Sequence, residues 1–148
     1  YAFRSLIGGA LCAGWDPRAK EFDRELAAAR VREFKALRHL TVGDFYPLLP
    51  YTLEADQWIG YQFHRGDLDE GLALVFRREK SAYAAVDVAL RGLKSKQSYV
   101  LTFVDGGPTR RATGEELTRP MRITIDRSPG STMLLYRPAS DAADRKRE

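Results

Sequence analysis

Two hydrophobic periods divide the chain near residue 42. Over residues 20–40 the apolar positions recur at helical spacing. Phe22, Leu26, Phe34, Leu37 and Leu40 share one arc, with Ala29 beside them, while Glu21, Arg24, Glu25, Arg32, Lys35 and His39 take the opposite side. This spacing predicts an amphipathic helix. Asp16 before Pro17 predicts its start, an aspartate cap followed by a proline in the first turn, and Gly43 predicts its end. A helix with one apolar face is marginal alone and needs a surface to bury that face.

From residue 57 the period becomes two. Ile59, Tyr61 and Phe63 alternate against Trp58; Leu72, Leu74 and Phe76 follow within 71–78. Ala84, Val86, Val88 and Leu90 oppose Asp87 and Arg91, and Tyr99, Leu101 and Phe103 align within 98–104. A weaker run spans Thr109 to Thr113. Ile123 and Ile125 mark another, and Leu134 and Tyr136 set against Met133 and Leu135 mark the last. Turn chemistry separates these runs at Gly66-Asp67, at Asp105-Gly106-Gly107-Pro108 and at Pro129-Gly130. About seven short strands at this spacing predict a mainly β fold, an antiparallel β-sandwich or barrel.

The remaining segments frame these two parts. Tyr1 to Ser5 reads as a strand end or loop, and Leu6 to Trp15 is apolar but rich in glycine. Strand, loop and amphipathic helix in that order are the rhythm of an α/β unit. From Thr41 to Asp56 runs an extended stretch stiffened by Pro47 and Pro50, with too many aromatics for a free linker. It is expected to pack down between the two parts. The layout is thus an α/β piece at 1–41, a connector at 42–56, a β module at 57–138 and a polar tail at 139–148, a frayed end or the start of a linker.

Composition narrows the function classes. With 148 residues, 44% hydrophobic, the chain can build a core of its own. Its single cysteine, Cys12, excludes an internal disulfide and a multi-cysteine metal site, and its apolar setting reads as a buried structural thiol. No apolar run approaches the ~18 residues of a membrane span, so no membrane partner is expected. Leu6 to Gly14 is short and follows no basic stretch, so it does not read as a signal peptide. The chain begins with Tyr1 rather than Met and reads as a piece of something longer. The pI near 9.3 suggests an anionic partner. The charge is spread, however: +2 over residues 1–50, −1 over 51–105 and +3 over 106–148. No nucleic-acid partner is expected, because Arg77, Arg110 and Arg122 would have to converge on one surface.

The candidate chemistry is sparse. His39 and His64 are the only histidines and neither has a second ligand at motif spacing, so no metal or cofactor is expected. His39 lies on the polar side of the helix. Gly8-Gly9 and Gly106-Gly107 lack the following Lys-Ser or Lys-Thr of a phosphate loop. Glycoside hydrolysis needs two carboxylates flanking the bond that breaks. Asp16, Asp44, Asp56, Asp67 and Asp69 are available, but none makes a convincing pair. Asp16 suits the helix cap, Asp44 a turn in the connector, and Asp67, Asp69 and Glu70 a solvated turn. Trp58, Tyr61, Tyr99 and Phe103 suit either the sandwich core or a platform on which a sugar face stacks.

Several segments in order suggest a family. Tyr1-Ala2-Phe3-Arg4-Ser5, Trp15-Asp16, and Gly43-Asp44-Phe45-Tyr46-Pro47-Leu48-Leu49-Pro50-Tyr51 lead into Trp58-Ile59-Gly60-Tyr61-Gln62-Phe63. Glu70-Gly71 then precedes Val75-Phe76-Arg77-Arg78, Leu90-Arg91-Gly92-Leu93 follows, and Pro129-Gly130-Ser131 precedes Leu134-Leu135-Tyr136-Arg137. Over nearly its whole length the chain resembles the C-terminal part of an α-galactosidase-like glycoside hydrolase of family 36 and its clan.

The resemblance implies a catalytic TIM barrel followed by a β-sandwich. Residues 1 to about 40 would then be the barrel's last strand, near Ala13 to Asp16, and its outer helix. The nucleophile and acid/base aspartates of this retaining clan would lie on earlier barrel strands, so none of the residues here would be catalytic. Trp15 and Asp16 would end the last strand and line the sugar pocket, since barrel sites lie at the C-terminal ends of strands. Arg4 would serve a neighbouring loop. The partners implied are an α-galactoside or related glycan, through the intact enzyme, and the catalytic barrel on which the sandwich packs. Without most of that barrel, the Phe22, Leu26 and Phe34 stripe would be exposed. The alternative is an independent carbohydrate-binding or interaction sandwich, which a solvent-facing Trp58 or Tyr83 would favour.

Overall fold

The computed structural model describes residues 1–8, 14 and 16–140. Within them lie a 3-10 turn, Arg4–Leu6, a helix α1, Arg24–Leu37, and a single-turn helix α2, Gly114–Leu117. The strands are β1 (Asp44–Pro47), β2 (Ile59–Arg65), β3 (Glu70–Arg77), β4 (Ala85–Val88), β5 (Ser98–Phe103), β6 (Thr109–Thr113), β7 (Met121–Thr124) and β8 (Gly130–Pro138). Six of them form one sheet in the order β1-β2-β3-β8-β5-β6, and β4 pairs with β7 in a second. Every pairing is antiparallel. The chain is therefore mainly β, a sandwich in which a two-stranded sheet covers one face of a six-stranded one.

The period-two alternation assigns the faces correctly. Trp58, Ala73, Val75, Tyr99, Leu101, Leu134 and Tyr136 pack with Val88, Leu90 and Ile123 between the sheets. The alternate positions Phe63, Leu72, Leu74, Phe76 and Met133 meet Ile7, Leu37 and Leu40 on the other side. The large sheet is thus buried on both faces, and β3, with six consecutive buried residues, lies at its centre. Each large side chain so buried contributes about 1.5–3 kcal/mol.

That second core changes the expectation for the helix. Phe34 and Leu37 of α1 and the nearby Leu40 are buried within the chain itself, and only Leu26 stays 51% exposed. The stripe divides: its C-terminal half reaches the sheet. The helix also starts seven residues later than Asp16 predicts. Asp23 is the cap, its carboxylate accepting from the Leu26 N–H at 2.8 Å. Asp16 instead accepts from the backbone N–H of Arg18 at 2.9 Å, a local turn that competes with helix formation. At the other end α1 stops at Leu37, before Gly43. Gly43 is needed for a different reason, since a Cβ there would lie 2.2 Å from the carbonyl oxygen of His64.

Two further elements depart from the sequence reading. The connector contains an edge strand, β1, whose Asp44 to Pro47 pair with His64 to Tyr61. A proline is tolerated at the end of an edge strand, and four residues are too few to show an alternation. After β6, Thr113 and Glu116 form a reciprocal capping box that folds α2. At the N-terminus, where the sequence allows a strand end or a loop, Arg4–Leu6 is a 3-10 turn within a loop. Cys12, half of the expected closing strand near Ala13 to Asp16 (Ala13 and Trp15), and the tail from 141 lie outside the described residues.

Candidate functional site

Arg4 is the best-defined of the site residues expected from the sequence. The 3-10 turn carries it against the loop after β5, and its residue is only 9% exposed. One guanidinium nitrogen donates to Asp105 at 2.6 Å and Nε to Glu33 of α1 at 3.4 Å. Arg30 also pairs with Glu33, and its guanidinium lies 6.0 Å from the centre of the Phe3 ring. Asp105 further accepts from the Met133 N–H at 3.3 Å. Burial alone would lower the Arg4 pKa, but its bonds to Asp105 and Glu33 raise it. Burial likewise pushes the Asp105 carboxyl up, and the Arg4 guanidinium outweighs this and holds it below its usual value. A cavity of about 430 Å³ adjoins this cluster, lined by Tyr1, Phe3, Arg4, Arg30, Asp105 and Arg127 among others. Arg4 thus clasps the N-terminal segment to α1 and to the β5–β6 turn.

Asp16 lies elsewhere. It is exposed, and the Arg18 guanidinium binds both its oxygens at 3.0 and 3.2 Å. Hydrogen bonds from the Arg18 side chain and backbone hold its pKa below the usual value. No hydrogen bond or ion pair joins Asp16 to Arg4 among the described residues, and Trp15 lies outside them.

A buried polar layer between the sheets escaped the sequence reading. Gln62 Nε2 donates to the Tyr136 hydroxyl and to the Arg91 carbonyl, both at 2.7 Å, while Gln62 Oε1 accepts from the Arg91 N–H at 2.8 Å. His64 Nδ1 lies 3.0 Å from the same hydroxyl. The Tyr99 hydroxyl donates to Asp69 at 2.6 Å and accepts from the Lys94 N–H at 3.1 Å. Lys94 Nζ reaches the other Asp69 oxygen at 3.2 Å. Burial pushes the Tyr99 hydroxyl up to about 12, and Asp69 adds to the shift. Asp69, expected in a solvated turn, is 6% exposed with φ +58°. The available signal was polar side chains at the inward positions of β2, Gln62 and His64, which a buried strand tolerates only with partners.

The other acidic groups are held locally. Arg65 binds Asp67 through two bonds at 2.7 and 2.6 Å, and this lowers the Asp67 pKa to about 2. Tyr46 donates to Asp44 at 3.4 Å, and Gln57 to Asp56 at 3.3 Å. His39 is exposed, 3.9 Å from Glu70. Among the described residues no three His, Cys, Asp or Glu gather as a metal ion would require. Arg110 and Arg122 line one cavity, and Arg77 is engaged with the carbonyls of Ser81, Ile125 and Asp126.

Trp58 falls in the core, 8% exposed, whereas Tyr83 is 78% exposed. Both line a half-open cavity of about 480 Å³ beside β4, with Leu49, Pro50, Thr52 and Gln57. The indole N–H of Trp58 is buried and meets no acceptor among the described residues. An unmade bond of this kind costs about 1–3 kcal/mol.

The fold has relatives among solved structures. A crystal structure of the family 36 α-galactosidase AgaA from Geobacillus stearothermophilus, in complex with raffinose, matches with a TM-score of 0.65 and 23% identity. The match covers 82% of this chain and 17% of that one. The galactosidase domain of the α-galactosidase-sucrose kinase AgaSK matches at 0.62 and 20% identity, over 80% and 17%. The α-galactosidase from Lactobacillus brevis matches at 0.63 and 19% identity, over 85% and 18%. At these identities the likeness is one of fold, and the chain spans less than a fifth of each protein it matches. No protein-family model matches the chain, and no curated protein matches it at a significant level.

Proposed function

We propose that the chain is the C-terminal portion of a retaining α-galactosidase-like glycoside hydrolase. Residues 1–41 close its catalytic barrel and the sandwich serves as the accessory domain. The observation that carries this reading is the fold match to three α-galactosidases over four-fifths or more of this chain and under a fifth of theirs. The ordered segments from Tyr1-Ala2-Phe3-Arg4-Ser5 to Leu134-Leu135-Tyr136-Arg137 point the same way. The work of these residues is then mechanical. Arg4 couples the N-terminal segment to the sandwich through Asp105. The buried Gln62–Tyr136–His64 layer fixes the 91–94 loop over the sheet. On this reading Trp15 and Asp16 serve the sugar pocket of the intact enzyme. The catalytic aspartates lie on earlier strands, so the 148-residue chain alone does not hydrolyse a galactoside.

Hydrolysis of an aryl α-galactoside tests this. The assay compares the chain with the same reading frame extended upstream through a whole barrel. Activity is expected only in the extended protein, and Trp15→Ala there should weaken substrate binding. An inactive extended protein would overturn the reading, and unchanged kinetics in the variant would remove Trp15 from the pocket.

A further inference from the structure

We infer that the sandwich docks onto the part of the longer protein that precedes Tyr1, through the face of the large sheet that carries Phe45. The inference rests on the hydrolase reading, on which that part is the catalytic barrel, and it names the face by which the two meet. A row of rings marks this face. Tyr1 meets Phe76 edge to face, Phe76 stacks on Tyr61, and Tyr61 meets Phe45, with ring centres 5.5, 5.8 and 5.7 Å apart. Phe45 also meets Phe63, its partner across the β1–β2 pair, at 5.5 Å. The row therefore crosses β3, β2 and β1 on the side of the sheet away from β4 and β7.

The middle of the row is covered and its ends are not. Phe63 and Phe76 are buried, whereas Tyr1 is 45% and Phe45 56% exposed. Leu26, the uncovered part of the α1 stripe, lines the same cavity as Tyr1 and Phe3. Apolar residues exposed singly are ordinary on a protein surface, but a contiguous row running out from a core marks contact with another body.

Two observations choose that body. The first is continuity. Ile7, Leu37 and Leu40 already pack with Phe63, Leu72, Leu74 and Phe76. On the hydrolase reading residues 1–41 belong to the barrel, so this second core is itself a barrel–sandwich contact, and the exposed ends of the row continue it. The second is size. The chain spans less than a fifth of each α-galactosidase it matches, and on that reading the polypeptide leading to Tyr1 arrives at this same face. The apolar residues Tyr51, Leu53 and Tyr83 are more exposed still, but they share neither property. They lie in two loops joined where the Thr52 carbonyl accepts from Arg78 and the Ala55 carbonyl accepts from the Lys80 N–H. The core beside those loops, which includes Trp58 and Val86, draws on no residue of 1–41 among the described residues.

Hydroxyl-radical footprinting, read by mass spectrometry, tests the face. It compares the 148-residue chain with the same reading frame extended upstream through a whole barrel. In the shorter chain Tyr1, Leu26 and Phe45 should all be oxidised readily. In the extended protein their rates should fall about fivefold or more, as water is excluded from the centre of an interface. Tyr51 and Tyr83 should react equally in both. The proposal is overturned if Phe45 and Leu26 are equally reactive in the two proteins, or if Tyr51 and Tyr83 are protected in their place. It is also overturned if Phe45 becomes protected in the shorter chain as its concentration rises, which would make the occupant a second copy. The galactoside assay decides the hydrolase reading separately. An active extended protein with a reactive Phe45 keeps that reading and overturns this face; an inactive one with a protected Phe45 does the opposite.

Discussion

The guanidinium of Arg4 donates to Asp105, 101 positions further along the chain, at 2.6 Å. The same carboxylate oxygen accepts from the N–H of Met133 on β8. One acidic residue in a turn therefore ties the N-terminal segment to the centre of the large sheet. Arg4 also holds Glu33, so α1 belongs to the same clasp.

Removing that clasp should cost stability and local order together. Arg4→Ala leaves Asp105 and Glu33 without their shared cation, and an expected loss of about 2 kcal/mol follows. Denaturant unfolding measures it. Hydrogen exchange at the amides of Ser5, Leu6 and Ile7, which close the 3-10 turn, should quicken more than exchange in β3. An unchanged midpoint would show that the ion pair contributes nothing beyond its geometry.

The clasp also contributes to the acid limb of the stability curve. Asp105 has a folded-state pKa below its usual 3.8. Its contribution is therefore complete above about pH 4 and is lost as the pH falls through the lower folded value. Asp105→Asn should flatten that part of the stability–pH profile while shifting the neutral region down. A parallel profile in the variant would argue that another group governs the acid limb.

Gly71 should tolerate no side chain. A Cβ there would lie 2.1 Å from the Tyr136 hydroxyl and 2.4 Å from the backbone oxygen of Phe63. The second atom belongs to the paired strand β2 and cannot swing away. Gly71→Ala should lose about 3 kcal/mol or more through this overpacking. Gly66→Ala, with no atom within 4 Å of the new methyl, is the control and should stay within about 0.5 kcal/mol.

The buried tyrosines predict the alkaline limb. Burial raises Tyr61 and Tyr99 from 10.0 to about 12, and Tyr136 upward as well. Raised folded-state values mean that the neutral phenols stabilise the fold fully below pH 10. That contribution fades as the pH climbs through about 12. The share of the phenolate absorbance that belongs to these three tyrosines should rise late and together with unfolding. Tyr136→Phe, which leaves His64 Nδ1 without its partner, should cost about 1–3 kcal/mol at neutral pH. Early, non-cooperative ionisation of all the phenols would show that the layer is open to solvent.

Much of the fold was legible because alternation is a local property. Ile59, Tyr61 and Phe63 point one way and Trp58 the other whatever they pair with, since successive side chains on a strand take opposite faces. The capping box at Thr113 and Glu116 was equally written in the sequence and went unread. The clasp was not legible, because nothing near Arg4 names a partner at position 105. Asp69 was misread for the same reason. Its surroundings in sequence are those of a solvated turn, and Tyr99 comes from 30 positions away to bury it.

Which side chains share a face was readable from the chain alone, because it follows from backbone geometry within a few residues. The assembled fold was needed to make Asp44 to Pro47 an eighth, edge strand, to cover the end of α1 on the sheet, and to bury Trp58 with its N–H unmet. Each of those depends on a surface assembled from distant segments, and the energy of burial or pairing is realised only when those segments meet.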